Sequence, residues 1–391
     1  MSAPTKSYAN WPQFDADDEK AVAEVLRSGK LIYTSGPHGR AFENEFAEHV
    51  GSSFSVTMPN GTVALEAALH GCGVKPGDEV ILSPRSYIAS ATSIIQRGAR
   101  PVFVDVDADS QNLDVASIEQ AVTSKTAAIM CVHLAGWPCD MPTIMAMASA
   151  RNLSVIEDCA QAQGATIDGQ QVGTFGDASA FSFCQDKIMT TGGEGGAVTT
   201  NDTDIQRRLQ GYRPHDPTAQ SFHPSLTCGA ETRTMTDTQL RMTEIQSVVG
   251  RRQLNKVNEW QHIRRQHVGC VQDILGDLSV VSHPSPPPRV QHAYYRYYLF
   301  VNQKALHSDW NRERIVAEAL ALGLPCSTGT CPELYREKVL IDLGCVPERP
   351  LPVAHRLGQT SVALSLHAGL ETSQVEDIAH ELSLILRAAS R

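Results

Sequence analysis

The chain has 391 residues, of which 42% are hydrophobic and 19% are charged, and this length suits one large domain and a smaller one. Its formal net charge of −10 argues against a general nucleic-acid-binding protein, because such proteins usually present a basic face. Residues 1–10 hold no apolar stretch suited to a signal peptide, and no later run approaches the length of a membrane span. The ten cysteines are scattered, without a strong zinc spacing. We therefore expect a cytoplasmic protein with reduced thiols, no metal, and neither nucleic acid nor membrane as a partner.

Short apolar runs alternate with helix-length amphipathic stretches through the first two thirds of the chain. The predicted strands are 54–58, 79–83, 101–105, 127–133, 154–157, 178–183 and 196–200. The predicted helices between them are 63–72, 88–97, 115–122 and 141–150, where apolar residues recur at spacings of three and four. This alternation predicts an α/β fold, with a mostly parallel central sheet and helices on both of its faces. Ligands of such sheets bind at loops beyond the carboxyl ends of the strands.

The pattern changes in the last third. Apolar residues at helical spacing predict one long helix over 236–275, and four prolines interrupt the chain at 283–289. A strand over 293–301, a helix over 312–322 and a closing helix over 373–387 follow. We predict an N-terminal segment (1–20), a large domain (21–270) and a smaller C-terminal α+β domain (271–391).

The first candidate binding site is the turn Asn60-Gly61-Thr62, between a predicted strand and a predicted helix. The glycine permits a tight turn, and Thr62 is a suitable helix cap. Free backbone N–H groups and the positive end of the helix would face an anion there. Taken alone, the segment is more often an ordinary strand-to-helix turn, and it lacks the lysine of a Walker loop.

The second candidate site is the segment VIEDCAQ at 155–161, in which an apolar strand ends in two acids. A carboxylate at the position of Asp158 can hold a pyridine nitrogen protonated, which makes the ring a better electron sink. Gln161, one turn later, could bond a ring hydroxyl. For a single aspartate at a strand end, a helix cap or a surface residue is the competing explanation.

The third candidate site combines one lysine with a glycine cluster. Lys187 lies between the predicted strand 178–183 and four glycines within 192–196. Glycines allow a ligand to approach the backbone closely and permit positive φ values. A lysine in a closed pocket has its pKa lowered and can form a Schiff base with an aldehyde, and Ser182 could donate to a phosphate. The alternative, a solvated lysine before a flexible hairpin, is disfavoured by the apolar flanking residues.

These segments together resemble a known family. GTVAL (61–65), HLAGWPCDM (133–141), VIEDCAQAQGA (155–165), SFCQDKIMTTGGEGGAV (182–198) and LSLHAGL (364–370) occur in the order seen in DegT-type sugar aminotransferases. That resemblance implies the fold type I aminotransferase architecture and the cofactor pyridoxal 5'-phosphate.

The resemblance also implies a role for each candidate residue. Lys187 would hold the cofactor as a Schiff base and later move the proton between carbon atoms. Asp158 would pair with the pyridine nitrogen, Gln161 with the ring oxygen, and Tyr87 would stack on the ring, although a core aromatic is the alternative for Tyr87. The phosphate would be bound by the backbone of Gly61 and by Thr62 and Ser182.

One departure from the family concerns the subunit interface. Family members carry an Asn-aromatic-Arg run whose asparagine reaches the phosphate in the neighbouring subunit, and the matching run here is Gln239-Leu240-Arg241. Glutamine can still donate from its amide, but from a longer stem. We therefore expect a homodimer with shared active sites, in which Gln239 replaces the family's asparagine.

The leading functional hypothesis is transfer of an amino group from glutamate or glutamine to a keto sugar, with a nucleotide-linked sugar favoured. A cyclitol ketone is the first alternative. A pyridoxal-phosphate-dependent sugar dehydratase is less favoured, because that branch carries histidine where this chain has Lys187. A non-catalytic regulator that binds the cofactor is the remaining alternative. Three arginines are candidates for facing the pocket: Arg85, Arg213 and Arg241.

Overall fold

The computed structural model describes residues 6–213, 240–276 and 278–391. The helices in these ranges are α1 (Ala16–Ser28), α2 (His38–Val50), α3 (Gly61–Gly71), α4 (Ala89–Gln96), α5 (Val115–Ala121), α6 (Met141–Ala150), α7 (Thr203–Tyr212), α8 (Glu244–Leu254), α9 (Val257–Leu275), α10 (Arg312–Ala321), α11 (Lys338–Asp342), α12 (Pro352–Thr360) and α13 (Thr372–Ala389). The strands are β1 (Phe54–Met58), β2 (Glu79–Leu82), β3 (Arg100–Phe103), β4 (Thr126–Val132), β5 (Ser154–Asp158), β6 (Thr166–Ile167), β7 (Gln170–Gln171), β8 (Ala178–Ser182), β9 (Gly196–Thr200), β10 (Val281–Ser282), β11 (Val290–Gln291), β12 (Tyr297–Val301), β13 (Cys326–Ser327) and β14 (Ser361–Leu364). None of these helices is both long enough and apolar enough to cross a bilayer.

The central sheet contains all seven strands predicted in the first two thirds of the chain. Its order is β1-β9-β8-β5-β4-β2-β3. Strand β9 runs antiparallel to both of its neighbours, and the remaining pairs are parallel. The predicted mostly parallel sheet is therefore confirmed, and the strand ends differ from the prediction by at most two residues.

Helices cover both faces of this sheet, as the continuous apolar strands required. In β2, Val80 and Leu82 pack in one core cluster with Leu65 of α3 and Ile94 of α4. The intervening Ile81 belongs to a separate cluster that includes residues of α5 and α6. Because successive side chains of a strand point to opposite faces, one short strand contributes to two cores.

The C-terminal part is built around an antiparallel four-stranded sheet of order β10-β12-β14-β13. Side chains of α9, α10 and α13 share a core cluster with this sheet. Helix α9 runs through residue 270, the predicted domain boundary, with Trp260 in a cluster of the large sheet and Val268 in the C-terminal cluster. The division into domains stays a prediction.

Two predicted elements are wrong in extent. The single helix over 236–275 is two helices, because α8 ends at Leu254 and α9 begins at Val257, while residues 236–239 lie outside the described residues. Each helix has its own partners, since α8 contacts α1 and α2 whereas α9 contacts α13. The strand over 293–301 begins only at Tyr297, because Tyr294 has a φ of 48° that no regular strand accommodates.

Candidate active site

A cavity of about 510 Å³ lies where β1, β5 and β8 end. Seven of the eight site residues predicted from the sequence line this cavity: Gly61, Thr62, Tyr87, Asp158, Gln161, Ser182 and Lys187. The eighth, Gln239, lies outside the described residues. Residues that are more than a hundred positions apart in the chain therefore meet at one edge of the sheet.

The N-terminus of α3 forms one wall. The helix is capped by Asn60, whose Oδ1 accepts from the backbone N–H of Val63 at 2.9 Å. The prediction that Thr62 is the cap is wrong, because Thr62 already lies inside the helix. The first N–H groups of a helix have no partner within it, and Gly61 and Thr62, the first two residues of α3, line the cavity. This wall is suited to an anion.

Gly61 also packs tightly against the end of β8. A Cβ atom at Gly61 would lie 2.6 Å from Cβ and 2.9 Å from Oγ of Ser182, closer than side-chain atoms approach one another. Only a glycine at position 61 allows the N-terminus of α3 to lie this close to the Ser182 side chain. Gly61, Thr62 and Ser182 together form a candidate anion-binding cradle, which combines backbone N–H donors with one hydroxyl group.

The glycine run after Lys187 serves two purposes. Gly192 and Gly193 have φ values of 90° and 128°, which disfavour a side chain. Gly196 has no positive φ, but a Cβ there would lie 2.5 Å from the carbonyl oxygen of Asn60. The predicted positive φ values are confirmed at Gly192 and Gly193. Gly196 allows close approach of the Asn60 backbone, and close approach of a ligand stays a prediction.

Asp158 lies at the end of β5 and is 5% exposed. Its Oδ2 accepts from the Ser90 hydroxyl at 2.8 Å, and its Oδ1 accepts from the N–H of Ala160 at 3.2 Å. Burial raises the pKa of this carboxyl group, although both hydrogen bonds and the positive charge of Lys187 act against the rise. A buried carboxylate with this environment is stabilised by a further cationic partner.

Lys187 follows β8, and its side chain is 14% exposed. Its Nζ donates to the Tyr295 hydroxyl at 3.4 Å and lies 3.7 Å from Oδ1 of Asp186. Burial acts to lower the pKa of Lys187, but the nearby Tyr295 and Asp186 outweigh it, so the pKa is raised. The prediction of a lowered lysine pKa is therefore wrong for the protein without a cofactor, because the pocket wall supplies its own acidic partner.

Gln161 and Tyr87 are the remaining predicted site residues within the described ranges. The Oε1 atom of Gln161 accepts from the N–H of Ala135 at 2.8 Å, which anchors the side chain beside the cavity. Tyr87 is 66% exposed, so the core-aromatic alternative is wrong. Its ring borders the cavity and is accessible to a planar ligand.

Several residues of the site were not predicted from the sequence. Tyr295 and Arg296 line the cavity from the segment before β12, and Ser90 reaches Asp158 from α4. Both Tyr295 and Arg296 fell within a predicted strand, where nothing set them apart from the neighbouring aromatic residues.

The three arginines predicted as candidates for the pocket do not line it. Arg85 is buried and donates to Oε1 of Gln111 at 2.7 Å, and Arg213 is buried against Glu43 at 2.6 Å. None of Arg85, Arg213 and Arg241 lines the cavity, whereas Arg296 does.

The residues present fit pyridoxal phosphate. The cradle of Gly61, Thr62 and Ser182 suits a phosphate, the buried Asp158 suits a protonated ring nitrogen, and Lys187 is the amine that an aldehyde requires. A parallel sheet with these groups at its carboxyl edge defines a fold type I pyridoxal-phosphate enzyme.

The profile of the DegT/DnrJ/EryC1/StrS aminotransferase family matches residues 12–383. The chain belongs to this family. It is thus a pyridoxal-phosphate-dependent aminotransferase, as the sequence predicted.

Named relatives and a solved structure agree with this assignment. The chain is 33% identical to the GDP-perosamine synthase of Caulobacter vibrioides over 378 residues, which are 96% of this chain and 97% of the relative. It is 33% identical to the L-glutamine:2-deoxy-scyllo-inosose aminotransferase of Streptomyces kanamyceticus, covering 98% of this chain and 94% of the relative. The crystal structure of an aminotransferase from Psychrobacter cryohalolentis is 40% identical, with a TM-score of 0.93 and coverage of 98% and 100% of the two chains.

Proposed function

We propose that this aminotransferase moves an amino group from glutamate or glutamine to a keto sugar carried on a nucleotide. The observation that carries the proposal is the meeting of Lys187, Asp158 and the Gly61 cradle in one cavity. The similarity to a GDP-perosamine synthase over nearly the full length of both chains supports a nucleotide-linked sugar.

Each residue would then have one task. Bound pyridoxal phosphate supplies an aldehyde and a conjugated ring that accepts the electrons of a breaking C–H bond. Lys187 would anchor this group and, once released, accept and return the proton at the reacting carbon. Asp158 would keep the ring nitrogen protonated, and Tyr87 would cover one face of the ring.

The role of Lys187 has a direct test. The purified protein with cofactor should be yellow, and borohydride should fix the cofactor on the peptide that contains Lys187. A Lys187→Ala variant should take up no borohydride label. A label on a different lysine, such as the exposed Lys338, would contradict the assignment.

The substrate class is tested by the second half-reaction. The pyridoxamine form, prepared with an excess of glutamate, is mixed with nucleotide-linked keto sugars, and the return of the aldehyde absorbance is followed. Rapid return with a nucleotide keto sugar supports the proposal. Rapid return only with a simple 2-oxo acid would contradict it.

A cyclitol ketone is the second candidate, because the similarity to a 2-deoxy-scyllo-inosose aminotransferase is equally extensive. The same assay separates the two. A free cyclitol ketone that restores the absorbance while nucleotide sugars fail would replace the leading proposal with this one.

We further propose a homodimer with shared active sites. Three large apolar side chains, Leu26, Leu31 and Ile32, are exposed at and just beyond the end of α1, and such side chains suit a subunit interface. The cross-subunit phosphate contact of Gln239 stays a prediction. A Gln239→Ala variant should hold the cofactor about ten- to a hundredfold more weakly, the cost of one charge-assisted hydrogen bond. A stable monomer that still transaminates would contradict the shared site.

We place the protein in the cytoplasm. The nine cysteines among the described residues are all free thiols, and five of them are buried. Free thiols persist in reducing compartments. Fractionation of the producing cells would test this placement.

A further inference from the structure

We propose that Arg296 binds the α-carboxylate of the amino donor. The proposal rests on the proposed function and adds to it the group that recognises the donor. Glutamate and glutamine share the α-carboxylate, so the assignment holds for either donor.

Arg296 is close to the reacting amine. Its guanidinium carbon lies 5.0 Å from the centre of the Tyr295 ring, and Nζ of Lys187 lies 4.7 Å from the centre of the same ring. Both cations line the cavity. The two cations therefore border the same ring, and an anion bound by Arg296 would share the cavity with the lysine.

The guanidinium is available to a ligand. Among the described residues, no carboxylate lies within salt-bridge distance of Arg296. Asp186, which also lines the cavity, has other partners, because it accepts from the Tyr295 hydroxyl and lies 3.7 Å from Nζ of Lys187. A guanidinium without a carboxylate partner can donate hydrogen bonds to both oxygens of a bound carboxylate.

A second guanidinium, that of Arg264, lies near Arg296. Arg264, on α9, is 1% exposed, and its guanidinium stacks on Trp11 at 5.2 Å. Burial lowers the pKa of Arg264 to about 9, with the charge of Arg296 contributing. Burial and the charges of Arg264 and Arg296 also lower the pKa of His367 to about 4. A bound anion would relieve this repulsion.

The position favours a carboxylate over a diphosphate. In an amino acid the carboxylate is attached to the carbon that bears the amine, so it must stay near Lys187 during the reaction. In a nucleotide sugar the diphosphate is attached to the anomeric carbon, away from the ketone. Proximity to Lys187 therefore points to the donor.

The test compares two donors on holoenzyme. L-Glutamate and its α-amide, L-isoglutamine, differ only in the charge at the α-carboxyl, and the loss of aldehyde absorbance reports the first half-reaction with each. The wild-type protein should react faster with glutamate. Arg296→Met should lower kcat/KM for glutamate about ten- to a hundredfold while leaving isoglutamine unchanged, and Arg296→Lys should fall between.

Arg289→Met is the matched control, because Arg289 pairs with Asp140 on the surface outside the cavity. It should leave both donors unchanged. Retained cofactor absorbance and circular dichroism confirm that each variant is folded.

Three results would overturn the proposal. In the first, the Arg296→Met protein prefers glutamate over isoglutamine as strongly as the wild type does. In the second, the wild type does not distinguish the two donors. In the third, Arg296→Met loses activity only in the keto-sugar half-reaction, which would assign Arg296 to the diphosphate. A wild type that accepts an amino group from no amino acid would instead overturn the proposed function itself.

Discussion

The amine of Lys187 donates to the phenol oxygen of Tyr295 at 3.4 Å, and the same hydroxyl donates to Asp186. The three side chains form a continuous chain beside the candidate cofactor site. Burial acts to lower the pKa of Lys187, but Tyr295 and then Asp186 raise it, so both partners stabilise the ammonium form.

Removing the negative charge of Asp186 should make Lys187 more reactive. In Asp186→Asn protein without cofactor, the pKa of Lys187 should fall, because a negative charge 3.7 Å from Nζ no longer favours the ammonium form. The neutral amine then exists at lower pH. Labelling with acetic anhydride as a function of pH, read on the Lys187 peptide, should show a midpoint shifted to lower pH.

The surface variant Asp140→Asn is the control for this shift, since Asp140 pairs with Arg289 away from the site. An unchanged midpoint in Asp186→Asn would mean that Asp186 does not set the lysine's protonation.

Loss of the buried carboxylate should abolish most of the activity. Asp158→Asn preserves the shape of the side chain but cannot stabilise a protonated ring nitrogen. We expect kcat to fall by roughly a hundredfold or more, as for other preorganised electrostatic groups. Steady-state kinetics and a urea titration would be measured together. Turnover near the wild-type level would remove Asp158 from the mechanism.

The neighbouring Glu157 should matter for stability. Its buried carboxylate accepts hydrogen bonds from His133, Ser179 and the backbone N–H groups of Gly173, Phe175 and Gly176. A glutamine retains one oxygen and turns an N–H₂ group toward donors. Glu157→Gln should therefore lower the free energy of unfolding by about 3–5 kcal/mol at pH 7, measured by urea denaturation.

The effect of Glu157 should depend on pH. Burial opposes ionisation, but the hydrogen bonds from His133, Gly173 and Gly176 hold the pKa of Glu157 below its usual range. A depressed pKa contributes stability above the pKa of the unfolded chain, and this contribution is lost as pH falls through the folded value. The difference between wild type and Glu157→Gln should shrink below about pH 4. A constant difference would contradict an ionised Glu157.

The tight contact at the phosphate cradle gives a further prediction. In Gly61→Ala the new methyl group would meet Ser182 at 2.6 Å, so we expect a loss of about 1–3 kcal/mol in the free energy of unfolding from overpacking. Adding Ser182→Gly should recover part of the loss. Gly211→Ala is the control, because a Cβ at Gly211 meets nothing within 4 Å. Equal unfolding free energies for Gly61→Ala and wild type would refute the close approach.

The central sheet and most of its site were predictable from local patterns. Continuous apolar strands such as β5 and β8 can be buried only between two helical layers, and in parallel strands the residues after each carboxyl end meet at one edge. Asp158 ends β5 and Lys187 follows β8, so the order of the segments was enough to predict their meeting. The resemblance to the family added the roles proposed for Tyr87 and Gln239.

Other features depend on contacts between distant segments. Apolar spacing continues through residues 255–256, so the pattern does not mark the break between α8 and α9, which pack against different helices. Arg296 lines the cavity from the segment before β12, two residues after Tyr294 with its positive φ. The protonation of Lys187 depends on the charge of the adjacent Asp186, on burial, and on Tyr295, more than a hundred residues away. Local periodicity specifies which residues form strands. The protonation of a side chain and the residues that line the cavity depend on which distant segments the folded chain brings into contact.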